Sequence, residues 1–409
     1  MIKPVSETLD LCQALIKIPS YGNRGGEGEI VKYIKHVLID AGWNDLRVLI
    51  GQAERPNLIC TLDSGKPGPS LIIACHTDVY DSEAEPWSAN PLQPEVRNGE
   101  LWGAGASDAK GGLAAMTVAA RRLISKGGPQ AGRLILAFTA DEDCNGQWGL
   151  PWLVDSGYIE GDAAIALTPA GFEQDYDGVP IASRGFINVN VTVRSPDGGY
   201  TWCYDPGTPH AVAVAAKLLT AIEQDFRPGP AIHPLFPGGP TVVAGSTFSG
   251  GDFAGALPQI ARFSLEARLL PGTQADSFLN QLKEFIFNIA GATDVQVELA
   301  DVWLGGYADG CDLPATHPLA TAALEAVHSY GYREARFSGN PLFCEGALIA
   351  ATGIPTLPAL GPGRVNAAHK PDERACVDAI ENCTGILCTL IDRILSSDSI
   401  LNRGKHFDG

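Results

Sequence analysis

The sequence predicts an α/β protein in which a doubly wound, mostly parallel sheet is interrupted by an inserted α+β domain. Three observations lead to this prediction. Continuous apolar runs alternate with helical stretches early in the chain, strictly alternating strands follow, and the α/β pattern then returns. These changes of pattern place the first part of the α/β domain at 1–182, the insert at 183–303 and the second part at 304–409.

The strands of the α/β domain are predicted from apolar runs without polar alternation. These runs are Leu71–Cys75, Leu134–Phe138 and Ala163–Leu167. Such runs are typical of strands that are covered on both faces, as in a parallel sheet. Helical stretches at 29–41 and 109–125 alternate with the runs, and further ones follow at 319–330 and 377–395. This alternation predicts helices on both faces of the sheet.

The insert contains strands of another kind. Hydrophobic and polar residues alternate in Ile187–Arg194, Phe263–Leu269 and Val295–Leu299. This alternation predicts an antiparallel sheet with one solvated face. Two helical stretches lie between these strands. One begins at Thr208, with Pro209 at its first helical position, and the other covers 274–287. A sheet with two helices on one face predicts an α+β lid domain.

The composition excludes some classes of partner. The chain has 409 residues, 45% of them hydrophobic, and a formal net charge of −18. Nucleic acids and anionic membranes require a basic face, so we expect neither as a partner. The sequence contains no recognisable signal peptide and no apolar run long enough to cross a bilayer. Ten cysteines without a CxxC pair predict free thiols and a cytoplasmic location.

Polar side chains follow each of the three apolar runs. They are His76 and Asp78 after the first run, Glu142 and Asp143 after the second, Thr168 after the third, and Asp108 ahead of a helix. Ligands bind beyond the carboxyl ends of the strands in open α/β sheets, so we expect these side chains to converge. Imidazole and carboxylate groups are zinc ligands. The sequence therefore predicts a zinc site at this edge.

Two pairs in this set allow a finer prediction. Asp78 lies two positions after His76 and therefore on the same side of an extended chain. We expect its carboxylate to accept a ring N–H of His76 and to fix the tautomer; the alternative is that Asp78 caps a loop. Glu142 and Asp143 are adjacent, so one can bind metal while the other transfers a proton. Their alternative is a solvated acidic turn.

Four segments resemble the superfamily of aminoacylase, carboxypeptidase G, acetylornithine deacetylase and succinyl-diaminopimelate desuccinylase. They are HTDVYD from His76, GELWGAGASDAKGG from Gly99, TADED from Thr139 and GPGRVNAAHKPDE from Gly361. The resemblance implies a zinc-dependent amidohydrolase or metallopeptidase that cleaves an amide bond of an N-acyl amino acid or small peptide. It also implies a homodimer formed through the lid.

The resemblance assigns a role to each of the matched residues. His76 would bind one metal ion and His369 the other, with Asp108 bridging both. Asp143 would complete the His369 site, and Glu142 would be the general base that activates water and protonates the leaving amine. The implied cofactor is zinc, one or two ions per chain, with cobalt or manganese as alternatives.

One metal-site position departs from the family pattern. Thr168 stands where the resemblance implies a second carboxylate, and a neutral hydroxyl is a poor zinc ligand. We expect the second metal to be weakly bound or lost, unless Glu173 or Asp175 replaces the missing acid. The alternative for Thr168 is a hydroxyl that bonds to the backbone.

The lid departs from the pattern as well. Tyr200 lies near the place of a family histidine that serves the oxyanion, and the family motif Asn-x-x-Pro is Gly255–Pro258 here. His210 is a candidate to replace that histidine, with a helix-terminal role as its alternative. Arg268 is retained and is predicted to contact a substrate carboxylate; a surface salt bridge is the alternative.

Two other functions stay open at this point. One is an enzyme of the same fold with specialised or non-hydrolytic acyl chemistry, and the other is a metal-poor binding protein. The presence of Glu142 argues against the second, because a binding protein needs no general base.

Overall fold

The computed structural model describes residues 6–81, 86–144, 146–195, 200–203, 205, 210–229, 232–291 and 293–401. The helices are α1 (Glu7–Ile16), α2 (Glu27–Asp40), α3 (Lys110–Ser125), α4 (Leu150–Asp155), α5 (Ala211–Asp225), α6 (Ala275–Ala290), α7 (Pro318–Ser329), α8 (Gly346–Ala350) and α9 (Val377–Ile394). The strands are β1 (Asp45–Gln52), β2 (Arg55–Asp63), β3 (Ser70–His76), β4 (Glu95–Arg97), β5 (Glu100–Trp102), β6 (Arg133–Thr139), β7 (Ala163–Ala166), β8 (Pro169–Gly171), β9 (Gly178–Ser183), β10 (Gly185–Arg194), β11 (Thr241–Gly250), β12 (Ile260–Leu269), β13 (Asp294–Leu299), β14 (Tyr307–Ala308), β15 (Cys311–Asp312), β16 (Arg336–Asn340), β17 (Thr356–Leu357), β18 (Gly361–Arg364) and β19 (Arg374–Cys376).

The chain forms two compact units. The first unit comprises Met1–Ala182, Cys311–Asn340 and Cys344–Gly409, and the second comprises Ser183–Gly310 and Pro341–Phe343. The second unit therefore interrupts the first in sequence, and it extends past the residue at which the insert was predicted to end.

The first unit is built on a sheet with strand order β1-β2-β6-β3-β7-β17. The neighbours β6–β3, β3–β7 and β7–β17 are parallel, so the predicted α/β sheet is confirmed. At the other edge, β1 and β2 run antiparallel to their neighbours. Those two strands were not predicted: β1 is largely exposed, and the buried stretch of β2 is short and flanked by polar residues.

Helices cover both faces of this sheet, as a doubly wound fold requires. Ile72 of β3 packs in one core cluster with Leu153 of α4 and Ile349 of α8. The neighbouring side chains of β3 point to the opposite face. There, a Cβ on Gly112 of α3 would lie 3.3 Å from Sγ of Cys75. Glycine thus allows α3 to pack closely against the sheet at the strand ends.

The second unit contains an antiparallel sheet of order β11-β12-β10-β13, with β14 also paired to β10. Along β10, Val189 and Val191 are buried and Asn190 is exposed, as the alternation predicts. The buried face packs with α5 and α6 in one cluster. The predicted helix start at Thr208 and Pro209 lies outside the described residues. The described helix begins at Ala211.

The cysteines whose side chains are described are free thiols. Burial raises the pKa of Cys12 and Cys383 to about 12, so both stay protonated at neutral pH. Among the helices of the described residues, none combines the length and apolar character needed to cross a membrane.

Candidate metal centre

The charged residues predicted from the sequence lie at the carboxyl end of the parallel strands of the first unit. His76 ends β3, and Glu142 and Asp143 follow β6. Asp108 lies between β5 and α3, and His369 lies between β18 and β19. Because β5 pairs with β19, the chain segments that carry Asp108 and His369 are held side by side.

Asp108 faces two imidazoles, one with each carboxylate oxygen. Its Oδ1 lies 3.1 Å from Nε2 of His76. Its Oδ2 lies 3.3 Å from Nε2 of His369. A carboxylate that bridges two metal ions presents its oxygens in this way, one toward each ion and its other ligands. The geometry therefore supports the bridging role proposed for Asp108.

Asp143 and His369 form the second contact of the cluster. Oδ1 of Asp143 lies 3.0 Å from Nε2 of His369. The His369 backbone has a φ of 58°, a conformation that residues other than glycine adopt uncommonly. Its ring stacks on Tyr80 with 5.1 Å between the ring centroids. The surrounding structure thus holds this imidazole toward the two acids.

Asp78 lies next to His76, and its main-chain oxygen is closer to the imidazole than its carboxylate is. Nδ1 of His76 lies 3.0 Å from the carbonyl oxygen of Asp78 and 3.7 Å from its Oδ1. The carboxylate accepts the main-chain N–H groups of Glu142 at 3.1 Å and Asp143 at 2.9 Å. These two contacts match the alternative in which Asp78 caps a loop. An N–H on Nδ1 leaves Nε2 available as a metal ligand.

Burial and charge shift the protonation of these groups strongly. Burial raises the pKa of Glu142 well above its usual range, against the opposing charge of His76. Burial acts to lower the pKa of His369, but the charge of Asp143 and the hydrogen bond with Asp108 raise it to about 12. Carboxylates crowded around two imidazoles form an environment that a divalent cation neutralises.

The donor set fits zinc. One ligand atom each from His76, Glu142 and Asp143 lies within 4.8 Å of the others. Nitrogen and oxygen ligands lie about 2.0–2.2 Å from zinc, so atoms this close together need little movement to share one ion. In addition, Oδ2 of Asp143 is buried and has no hydrogen-bond partner among the described residues. Buried polar atoms are normally paired, and a bound cation would satisfy this one.

Glu373 is a residue of this site that the sequence interpretation missed. Its carboxylate accepts the main-chain N–H groups of Gly105, Ser107 and Asp108, each at 2.9 Å. Glu373 lies in the same segment as His369, so it ties the Asp108 loop to the His369 loop. The signal was present in the sequence, because the segment GPGRVNAAHKPDE ends on this acid.

Thr168 bonds to the backbone, as its alternative interpretation states. Its hydroxyl donates to the carbonyl oxygen of Pro358 at 3.4 Å. Of the two proposed substitutes for the missing carboxylate, Glu173 is exposed. Asp175 accepts the main-chain N–H of Gly363 at 3.1 Å.

Glu345 is a second acid that the sequence interpretation missed. It is 1% exposed, and its Oε2 accepts the hydroxyl of Thr139 at 3.1 Å. Its Oε1 is buried and has no hydrogen-bond partner among the described residues. Burial raises the pKa of Glu345 to about 7, against the opposing charge of His76. No metal-ligand motif in the sequence includes Glu345, so its position near the strand ends could be found only from the structure.

Two residues predicted to bind substrate have structural partners within the second unit. Arg268 pairs with Glu266 at 2.8 Å, which matches its alternative of a surface salt bridge. His210 is the N-cap of α5, and its Nδ1 accepts the main-chain N–H of Ala213 at 3.3 Å. These contacts favour the helix-terminal role for His210.

Tyr200, the third such residue, belongs to an exposed aromatic pair. Its ring stacks on Trp202 with 4.3 Å between centroids, and the two residues are 52% and 75% exposed. Tyr200 also forms a β-bridge with Ala256. The two lid segments that depart from the family pattern therefore lie side by side, and their aromatic surface is open to solvent.

Comparison with known proteins identifies a family. The sequence profile of peptidase family M20/M25/M40 matches residues 72–393. The succinyl-diaminopimelate desuccinylase of Nitrosococcus oceani is 28% identical over 401 residues, which cover 96% of this chain and 100% of that protein. The enzyme of the same name from Gluconacetobacter diazotrophicus is 30% identical over 228 residues, covering 54% of this chain and 56% of that protein.

Solved structures share the fold at low sequence identity. An M20 family metallo-carboxypeptidase from Sulfolobus solfataricus has a TM-score of 0.75 at 16% identity, covering 96% of this chain and 99% of that chain. A dinuclear metal-binding peptidase of the M20 family from Bacillus subtilis has a TM-score of 0.70 at 14% identity, covering 95% of this chain and 97% of that chain.

Proposed function

Since the chain belongs to peptidase family M20/M25/M40 and is a metal-dependent hydrolase of amide or peptide bonds, we propose that it cleaves N-acyl amino acids or small peptides. The observation that carries this proposal is the position of Glu142. Its carboxylate lies within 4.8 Å of ligand atoms of His76 and Asp143, so a proton-accepting group adjoins the candidate metal ligands. This combination is what water-dependent cleavage of an amide requires.

In the proposed mechanism, His76, Asp108, Asp143 and His369 hold zinc. Bound zinc would polarise the scissile carbonyl and make water more acidic. Glu142 takes a proton from the attacking water and delivers it to the leaving nitrogen. Burial raises the pKa of Glu142, which favours its uptake of the proton from water.

The remaining residues of the site position these groups. The Asp78 carboxylate holds the main chain of Glu142 and Asp143, and its carbonyl oxygen orients His76. Glu373 holds the loop of Asp108. Hydrogen bonds to the ring of His76 and to the main chain of Asp108 and Asp143 hold these three ligands, so we expect them to reorganise little on metal binding.

The desuccinylase relatives make N-succinyl amino acids the first substrates to test. We expect the zinc-loaded chain to release one free amine per amide cleaved from an N-succinyl, N-acetyl or dipeptide substrate. In water enriched in oxygen-18, the new carboxylate should gain one labelled oxygen. Chelated, metal-free protein is the control and should release no amine.

The same assay tests the alternative of acyl transfer. An added amine nucleophile should leave the yield of free acid unchanged if the reaction is hydrolysis. Capture of the acyl group by that amine would favour the enzyme with non-hydrolytic acyl chemistry. Absence of amine release from all three substrate classes would contradict the proposed substrates.

We also propose that two copies pair through the second unit. Within the described part of its sheet, β11 is an edge strand, and most of its residues are exposed. An open edge can pair with the same edge of a second copy. Light scattering at micromolar concentration should give about 86 kDa, twice the chain mass of 43.1 kDa. A mass equal to that of one chain would contradict the proposed dimer. The cytoplasmic location stays a prediction.

A further inference from the structure

The two sides of the Asp108 bridge are not equally supplied with carboxylates. On the His369 side, Asp143 adds an oxygen 3.0 Å from Nε2. On the His76 side, Asp108 contributes Oδ1 at 3.1 Å from Nε2, whereas Oδ2 of Asp143 lies 3.9 Å from the other ring nitrogen, Nδ1, which also faces the Asp78 carbonyl oxygen. Thr168, at the end of the neighbouring strand, offers a hydroxyl that donates to Pro358. A zinc ion on the His76 side would gain from another oxygen ligand of negative charge.

Glu345 is anchored on one side of His76. In the sheet, β3 lies between β6 and β7, and His76 is the last residue of β3. Thr139, the register partner of His76 on β6, donates its hydroxyl to Oε2 of Glu345 at 3.1 Å. The carboxylate of Glu345 therefore lies at the same sheet edge as the His76 imidazole.

The residues next to Glu345 are anchored on the other side of His76. The Cys344 thiol interacts with the Thr168 side chain, just beyond the end of β7. A Cβ on Gly346 would lie 3.0 Å from Cβ of Ala166, the last residue of β7. A chain segment that contacts the last residues of both β6 and β7 crosses β3 close to its carboxyl end. Glu345 therefore lies near the carboxyl end of β3, where His76 is.

The carboxylate of Glu345 has an unused oxygen. Oε1 is fully buried and has no hydrogen-bond partner among the described residues, although Oε2 is engaged by Thr139. Glu345 interacts electrostatically with His76, Asp78 and Asp108. An unpaired carboxylate oxygen is costly in a protein interior, and a cation is the partner that best offsets this cost.

We propose that Glu345 supplies the carboxylate ligand of the metal ion at His76, in the place that Thr168 does not fill. Oε1 is the ligand atom, and the hydroxyl of Thr139 holds Oε2 so that Oε1 faces the site. This inference rests on the proposed function, because it assumes that the chain binds a metal pair. Glu345 lies outside the four segments that resemble the family, so the resemblance does not imply this ligand.

The test is zinc binding by chelated protein, titrated in competition with a chromophoric chelator and checked by elemental analysis. The unsubstituted chain should bind two zinc ions per chain. Glu345→Gln should keep one site and weaken the other at least tenfold. Asp162→Asn is the matched control, because Asp162 accepts the main-chain N–H of Ser70 at the opposite end of β3. This control should bind zinc like the unsubstituted chain.

A rescue variant separates loss of a ligand from general damage. Thr168→Glu in the Glu345→Gln background restores a carboxylate at the neighbouring strand end and should recover the second zinc. The proposal would be overturned if Glu345→Gln bound two zinc ions as tightly as the unsubstituted chain. It would also be overturned if the unsubstituted chain bound one zinc ion and Glu345→Gln bound it with the same affinity.

Circular dichroism and thermal melting should accompany the titration, because an amide at this buried position can impair folding. If Glu345→Gln does not fold, zinc-containing crystals of the unsubstituted chain decide. Zinc within about 2.2 Å of Oε1 supports the proposal, and zinc at His76 without Glu345 overturns it. Zinc binding is measured without substrate, so the two proposals are tested separately. The zinc titration can contradict the role of Glu345 even if the chain cleaves amides, and it can support that role even if the chain does not.

Discussion

Replacing Glu142 with alanine is expected to abolish turnover while leaving the fold and the bound metal in place. The substitution removes the proton-accepting carboxylate, and general acid–base catalysis typically contributes about 10²–10⁴-fold in rate. The main chain at this position stays anchored, because its N–H donates to Asp78. The measurements are kcat/KM on an N-acyl amino acid and the zinc content after dialysis.

The control for this prediction is Glu173→Ala. Glu173 is an exposed acid of the same unit, so its loss should change neither turnover nor zinc content. Unchanged activity in Glu142→Ala would refute the role of general base. Loss of zinc together with activity would instead identify Glu142 as a metal ligand, in line with its distance from His76 and Asp143.

Replacing Asp108 with asparagine is expected to remove both metal ions and all activity. Asp108 presents one oxygen to each imidazole, so both metal positions lose a charged ligand at once. Positioning residues around metal ligands typically contribute about 10–100-fold in affinity, and a bridging ligand should exceed that range. Zinc affinity should therefore fall by more than about 100-fold at both positions.

Thermal unfolding provides the readout for this second prediction. A ligand that binds the folded state raises its stability by mass action, so zinc should raise the Tm of the unsubstituted chain. The Tm of Asp108→Asn should not respond to zinc, whereas that of the Asp162→Asn control should. A variant at Asp108 that still binds two zinc ions would contradict the bridging arrangement.

The α/β sheet and most of the candidate site could be predicted because their signals are local. Apolar runs mark β3, β6 and β7, and the rule that ligands bind beyond strand ends brings His76, Glu142 and Asp143 together. The antiparallel strands β1 and β2 could not be predicted in the same way. Strand β1 is largely exposed, so its residues show no pattern of burial.

The acids Glu345 and Glu373 depend on contacts between distant parts of the chain. Glu373 binds the main chain at Gly105 and Asp108, and Glu345 binds Thr139. The contact between Glu345 and Thr139 joins residues 206 positions apart, so no spacing rule marks it in the sequence. The sequence also could not distinguish the two oxygens of Asp78 that face His76, because the carbonyl oxygen and the carboxylate both lie near Nδ1.

The central claim is that His76, Asp108, Asp143 and His369 surround metal ions that Glu142 adjoins. The most direct test is an anomalous difference map, collected at the zinc absorption edge from crystals of the unsubstituted chain grown with zinc. We expect peaks on both sides of the Asp108 carboxylate, about 2.0–2.2 Å from the ligand atoms of His76 and His369. Zinc bound elsewhere, or these side chains turned away from a common centre, would contradict it.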